Sequence, residues 1–311
     1  MFSEPHLIRN LAPTSKFLNM KIALFGKTFS GERSPFFHLM FDSLRRAGAT
    51  ISMFGPYYEQ VKQYVSLPED LTLFYNYRDL QADTDVFFSI GGDGTLLDAL
   101  PLIRDFNIPV LGINMGRLGF LSSVSKQEIG AAMEAIISGN YTLEERSLLQ
   151  LTNPDKLFPD INYALNEVTV FRKETTSLIV IQVFVDDIFL NAYWADGLIV
   201  ATPTGSTAYS LSAGGPIMVP SLKGFVITPI ATHNLSVRPV VIPDNSIIRL
   251  KVVGRHEQYT LSMDSRTAVV DQSEEITIRK AGFTIRLVQM KGKDFFGTIR
   301  EKLLWGLDIR N

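Results

Sequence analysis

The chain has 311 residues, 46% of them hydrophobic and 20% charged, with a formal net charge of −2 and no cysteine. That length allows a full core in one large or two smaller domains, and the charge balance leaves no nucleic-acid footprint. The lack of cysteine excludes disulfides, thiolate metal sites and a cysteine nucleophile, which fits the cytoplasm; no apolar run reaches the roughly 18 residues of a membrane span.

Residues 1–19 show no clear period and are expected to be an extension, disordered or a non-native start. Met20–Gly26 reads as a first strand. After it, Pro35 opens a helical pattern of Phe36, Phe37, Leu39, Met40 and Leu44 that ends at Gly48. Thr50–Phe54 is a second strand, followed by a helix around Tyr57–Tyr64 and an extended piece around Leu71–Phe74. The most informative stretch is Asp85-Val86-Phe87-Phe88-Ser89-Ile90-Gly91-Gly92-Asp93-Gly94-Thr95-Leu96-Leu97. An apolar, aromatic run reads as a buried strand, three glycines as a turn, and Thr95 as the N-cap of a helix. Pro101 should kink that helix or end it early. Val110–Asn114 is the next buried strand, so strand, helix and strand form a βαβ unit with a parallel sheet. Its ligands belong at the carboxyl ends of the strands, where Gly91–Gly94 and Gly116–Phe120 fall. Glu128–Ile137 is helical.

From about Leu148 the period changes to that of strands: Leu148–Leu151, Ala164–Phe171, Leu178–Val185, Ile188–Tyr193, Leu198–Ala201, Gly224–Pro229, Ser246–Val253, Tyr259–Met263, Glu275–Arg279 and Phe283–Leu287. Asp186-Asp187 fits a two-residue hairpin turn. Asp294–Trp305 returns to helical spacing, with Phe295, Ile299, Leu303 and Leu304 on one stripe that should pack back on the first domain. The expected architecture is α/β plus β. An extension (1–19) precedes an α/β domain with a parallel sheet (20–146), a mainly antiparallel β domain (147–293) and a C-terminal helix (294–311).

Strand, glycine turn and helix start together make a phosphate cradle, because glycines admit close approach and the first helical amides point at an anion. Asp93 would repel that anion. It either handles a proton or hydroxyl beside a phosphate, or merely bonds its own backbone in a tight turn. Asn166-Glu167 interrupts an apolar strand, where adjacent side chains point to opposite faces unless the strand bulges. Asp196-Gly197 reads first as a turn. Thr202–Pro216 is hydroxyl-rich and glycine-punctuated, which suits a ribose, an adenine or a phosphate. His233, Arg238 and Arg117 are weak candidates individually. No metal-ligating cluster and no Gly-x-x-x-x-Gly-Lys-Ser/Thr loop stands out, so Mg²⁺ or another divalent metal is expected to arrive with a nucleotide, without protein side-chain ligands.

In order along the chain, Gly91–Leu97, Gly112-Ile113-Asn114, Leu118–Leu121, Asn166-Glu167, Asp196-Gly197, Thr202–Tyr209 and Gly214-Gly215-Pro216 resemble the NAD kinase family over about residues 21–311. Gly-Gly-Asp-Gly-Thr alone is shared with lipid kinases; the Asn-Glu pair and the Thr202–Tyr209 block are more specific. The resemblance implies a Rossmann-like N-terminal domain and a β-rich C-terminal domain that holds NAD. It also implies transfer of the ATP γ-phosphoryl to the 2′-hydroxyl of the NAD adenosine ribose, in a homodimer or homotetramer. It makes Asp93 the catalytic carboxylate. It places Asp93, Gly94, Phe120, Asn166, Glu167, Asp196, Thr207, Ala208, Tyr209 and Ser212 on NAD, and Gly91, Gly92, Gly94, Thr95 and Arg117 on ATP phosphate. Two departures stand out. Met115 directly follows Gly-Ile-Asn where many members carry a basic residue, and Asp264-Ser265-Arg266 replaces a common Asp-Gly-Gln. A lipid or sugar kinase and an inactive NAD(P)-binding regulator are the rival readings; intact Asp93 and the Asn-Glu pair count against them.

Overall fold

The computed structural model describes residues 20–305 apart from 117–118, 160, 174–176 and 255–256. In the first part, strands β1 (Lys21–Gly26), β2 (Thr50–Phe54), β3 (Thr72–Phe74), β4 (Val86–Gly91), β5 (Val110–Asn114) and β6 (Val124–Ser125) alternate with helices α1 (Ser34–Arg46), α2 (Gly55–Val61), α3 (Asp93–Ile103) and α4 (Ile129–Ser138). The strands pair in parallel in the order β5-β4-β1-β2-β3. β4 is apolar without alternation because both of its faces are covered. Phe88 and Ile90 face α1 and α4, and Phe87 faces α3. Pro101 lies inside α3, which ends two residues later at Ile103.

A ribbon then joins this sheet to the second part. β7 (Tyr141–Asn153) is a single strand of 13 residues, so residues 146 and 147 lie within one continuous element. After β7 come β8 (Tyr163–Ala164), β9 (Glu167–Arg172), β10 (Ile179–Val185), β11 (Ile188–Ala195), β12 (Gly197–Ala201), the short helix α5 (Tyr209–Ser212), β13 (Gly224–Ile230), β14 (Val240–Pro243), β15 (Ile248–Val253), β16 (Gln258–Met263), β17 (Arg266–Asp271), β18 (Ile276–Met290) and α6 (Phe295–Leu303). The two strands expected at 275–279 and 283–287 are one: β18 runs through, with its register against β7 shifting between Lys280 and Thr284. One end of β18 pairs β15 and the other meets β5 at Leu287, so the first sheet extends into the second part. Facing it is an antiparallel sheet in the order β14-β13-β12-β9-β16-β17. Val168, Val170, Leu198, Val200 and Leu261 from this sheet interlock with Ile181, Val183 and Leu250 from the first. Full burial of each such side chain contributes about 1.5–3 kcal/mol.

The turn at Asp186-Asp187 has φ of +50° and +65°, as a two-residue hairpin of this hand requires. α6 departs from its expected stripe. Ile299 is its buried residue, whereas Leu304 has left-handed φ at the C-cap and is exposed. Among the described residues no helix is long and apolar enough to cross a membrane. What positions the site is α3. Its Leu96, Ala99 and Leu100 share one cluster with Phe87 and Val110 of the parallel sheet and with Tyr163, Leu165 and Leu287 beyond it. The helix thus packs against both halves, and its first residue stands in the glycine-flanked turn after β4.

Candidate active site

That first residue is Asp93. Gly92, with extended backbone at φ −100° and ψ −172°, is the N-cap, so the expected cap at Thr95 is displaced by three residues and Thr95 lies inside the first turn. A carboxylate at this helix start is favoured by the helix dipole. It does not bond its own turn. It reaches the loop after β5, where Phe120 N donates to Oδ2 at 2.7 Å and Leu121 N and Ser122 Oγ donate to Oδ1 at 3.2 and 3.4 Å. Gly119 lies directly over the carboxylate: a Cβ there would stand 1.7 Å from Oδ1. Gly91 is equally constrained, since a Cβ would fall 2.2 Å from Thr95 Oγ1. Gly92 and Gly94 border open space, with no atom within 4 Å of where a Cβ would be. Among the described residues nothing crowds these two glycines, which suits an anion at the helix N-terminus. Arg117 lies outside the described residues.

Asn166 and Glu167 sit where β8 and β9 would be continuous but for a bend at residues 165–166. The carbonyl side of the bend is held by Thr202, whose N–H donates to Asn166 O at 2.9 Å and whose hydroxyl donates to Leu165 O at 2.6 Å. Gly205 packs so closely that a Cβ would lie 2.1 Å from Asn166 O. The amide side is held by Asp264, a residue the sequence left without a role. Its carboxylate accepts from Leu165 N, Asn166 N and Glu167 N at 2.9, 2.8 and 3.2 Å. Glu167 is partly buried and its Oε2 has no hydrogen-bond partner among the described residues. Burial, with the Asp264 carboxyl adding to it, pushes the Glu167 carboxyl up to about 8. A buried carboxyl with an unsatisfied oxygen is suited to accept from a ligand hydroxyl or amide.

The hydroxyl-rich stretch divides in two. Thr202, Thr204, Ser206 and Ser210 are buried. Ser206 Oγ donates to Pro203 O at 2.6 Å, and Ser210 pairs with Thr228 at 2.8 Å. These hydroxyls build the loop. Thr207 and Ala208 are partly accessible, while Tyr209 and Ser212 are exposed and available to a ligand. Asp196 stands apart. It pairs with Arg172 at 3.0 Å, at the far end of β12 from Ala201, which lies opposite Glu167. Five residues of strand separate it by about 15 Å from the Asn-Glu pair. The chain forms two groups, Asp93 with the 119–122 loop and Asn166-Glu167 with Thr202 and Gly205 after β12, and Asp196 lies outside both.

Arg146 of β7 is a second residue that pattern reading missed. It is 4% exposed, pairs with Glu144 at 2.6 Å and donates to Thr204 Oγ1 at 3.3 Å. Burial lowers its pKa, against the opposing charges of Glu144 and Asp93. It lines a cavity of about 330 Å³ shared with Gly119–Ser123 and with Phe295 and Thr298 of α6. That cavity touches the loop under Asp93 but none of Asn166, Glu167 or residues 202–212. In the sequence Arg146 is one more charge after Glu144-Glu145, with nothing to distinguish it from a solvated face.

Residues 60–141 match the family model for the ATP-NAD kinase N-terminal domain, and residues 165–290 match that for the C-terminal domain. The NAD kinase of Flavobacterium psychrophilum is 44% identical over 294 residues, covering 94% of this chain and all of that protein. The NAD kinase of Bacteroides fragilis is 40% identical over 291 residues, again covering 94% and all of each. Among solved structures, yeast NADH kinase complexed with NADH superposes with a TM-score of 0.83 at 27% identity, covering 95% of this chain and 90% of that one. An NAD kinase from Archaeoglobus fulgidus in complex with ATP gives a TM-score of 0.71 at 26% identity, covering 92% and 99%. With a carboxylate fixed at a glycine-flanked helix start and both halves matched along their length, the chain belongs to the NAD kinase family.

Proposed function

We propose that this chain transfers the γ-phosphoryl group of ATP to the 2′-hydroxyl of the adenosine ribose of NAD, with Asp93 as the carboxylate that orients and deprotonates that hydroxyl. The observation that carries the reading is the placement of Asp93: fixed by two loop amides, at a helix N-terminus, beside glycines that border open space. In the transfer, the ribose oxygen forms a bond to the γ-phosphorus as the bond to the bridging oxygen breaks. ADP leaves, and the hydroxyl proton passes to Asp93 and then to solvent. Such a reaction depends on positioning and charge neutralisation more than on covalent chemistry. The helix start at Gly91–Thr95 faces the triphosphate, where the Thr95 N–H itself is taken by Gly92 O at 3.0 Å. Asn166, Glu167, Phe120, Thr207, Ala208, Tyr209 and Ser212 hold NAD.

Mg²⁺ or another divalent ion supplies further neutralisation of the phosphates when bound. Among the described residues no group of three or more His, Cys, Asp or Glu gathers, so the donor set suits an ion carried by the triphosphate. The chain acts as a homo-oligomer through the β11 edge, where Ile188 is 73% and Trp194 58% exposed. An edge strand bearing exposed aromatics invites pairing, and Asp196 follows it directly in the chain.

The test is NADP formation from NAD, ATP and Mg²⁺. Asp93→Asn should bind NAD and lower kcat by about 10²–10⁴, the usual contribution of a general base. Near-normal turnover in that variant would sink the role given to Asp93.

A further inference from the structure

We infer that Asp264 is a positioning residue for this reaction: it shapes the 165–167 bend so that Asn166 and Glu167 are presented together to NAD. The inference rests on the reading above that this pair holds NAD. Asp264 lies in the two-residue turn between β16 and β17, with φ of +51° and a side chain only 2% exposed. Closing that hairpin takes no side chain, since Met263 and Arg266 already pair across it. The carboxylate bonds instead to three consecutive amides nearly a hundred residues away.

Consecutive amides of a flat strand point to alternate sides. For three to converge on one carboxylate the backbone must curl, and β8 and β9 are separated at that point. A curled backbone is released from the strict alternation that would send Asn166 and Glu167 to opposite faces. The grip is mutual, because Asp264 N donates to Glu167 O at 3.1 Å. It also extends to the helix of Asp93. Ser265 Oγ donates to Asp98 Oδ1 on α3 at 3.1 Å, and Lys27 holds the other Asp98 oxygen at 2.5 Å. Arg266 completes the turn by donating to Ile161 O and Tyr163 O. One turn therefore braces the Asn-Glu pair against the element that carries the catalytic carboxylate.

Asp264→Asn sets an NH₂ group against the Leu165 amide even when its oxygen keeps the other two, and preserves the shape of the side chain. It should raise the NAD KM about 10- to 100-fold, the effect of displacing binding groups by about 1 Å, and move the ATP KM by less than about twofold. A variant that melts earlier but keeps the NAD KM would show a merely structural role and overturn the inference. Asn166→Ala and Glu167→Ala separate the two readings. If neither alters the NAD KM, the pair does not hold NAD. If both raise it and Asp264→Asn does not, the pair holds NAD without help from Asp264. A measurement on the unaltered protein does not depend on how the variants fold. Hydrogen exchange should show the amides of residues 165–167 protected before NAD is added, and exchange at loop rates would refute the preformed bend.

Discussion

Gly119→Ala tests the site at its tightest point. An ideal Cβ at Gly119 stands 1.7 Å from Asp93 Oδ1, 2.2 Å from its Cγ and 2.4 Å from Oδ2, whereas ordinary contact begins at 3.4 Å. The carboxylate must retreat, or the loop must lift, by about 1.7 Å, the difference between 3.4 and 1.7. Either movement breaks the bonds from Phe120 N and Leu121 N, which start at 2.7 and 3.2 Å. Bonds of this charge-assisted kind contribute about 1.5–3 kcal/mol each, and overpacking adds a destabilisation of about 1–3 kcal/mol. A misplacement of about 1 Å costs about 10²-fold in rate, so kcat should fall by 10²-fold or more, with Asp93→Asn setting the floor. The assay is initial-rate NADP formation at saturating NAD and ATP, with a thermal melt to confirm folding. Because both substitutions act on one carboxylate, the double variant should lose little beyond Asp93→Asn alone. A Gly119→Ala enzyme with near-normal kcat, or losses that multiply in the double variant, would refute the geometry.

Two further outcomes follow from groups outside that contact. The Glu167 carboxyl lies at about 8 in the folded protein against an ordinary 4.5, so between those values the folded chain binds more protons than the unfolded one. Stability contributed here is present below pH 4.5 and is lost as pH rises to 8, by an upper limit on the order of 5 kcal/mol. Denaturation without substrate should therefore find Glu167→Gln gaining on the unaltered protein from pH 5 to pH 9; parallel profiles would disprove the raised value. If copies pair through the β11 edge as proposed, Ile188→Lys combined with Trp194→Lys should lower the mass seen by light scattering to that of a monomer. An unchanged mass would place the interface elsewhere.

The sequence disclosed what is local. The β4 run, its glycines and the start of α3 lie within thirteen residues, and each signals its own conformation. Asp186-Asp187 was legible for the same reason. Three strands escaped: β6, which is two residues long, and β14 and β17, which are the two edges of the antiparallel sheet. Edge strands bury less, so their apolar signal is weak: β17 has Val270 as its buried residue, and β14 has Ile242 between exposed Val241 and Pro243. The density of hydroxyls from Thr202 to Ser212 was visible, but its division was not. Four of them turn inward, Thr202 onto the Leu165 carbonyl, Thr204 onto Arg146, Ser206 onto the Pro203 carbonyl and Ser210 onto Thr228, contacts no periodicity reports. Arg146 and Asp264 were opaque because their roles exist only across the fold, 58 residues from Thr204 and 97 to 99 from the bend.

Asp93 and Asp264 use one device. Each is a carboxylate on a short turn or helix end, and each gathers backbone amides from a segment remote in sequence, residues 120–121 in one case and 165–167 in the other. A side-chain acceptor sets a loop's course more tightly than loop sequence can, because the loop's own amides have nowhere else to bond once water is excluded. The difference lies in exposure. Asp264 is sealed, so its work is architectural, whereas Asp93 is partly accessible and can still accept from a substrate hydroxyl. The kinetic loss in Asp93→Asn must therefore contain two parts, a loosened loop and a missing acceptor. Asp264→Asn gauges the first kind of loss where the second is absent. If kcat falls far more at Asp93 than at Asp264, the excess belongs to the chemistry of the ribose hydroxyl. If the two variants fall alike, with both losses in KM, Asp93 acts by holding its loop.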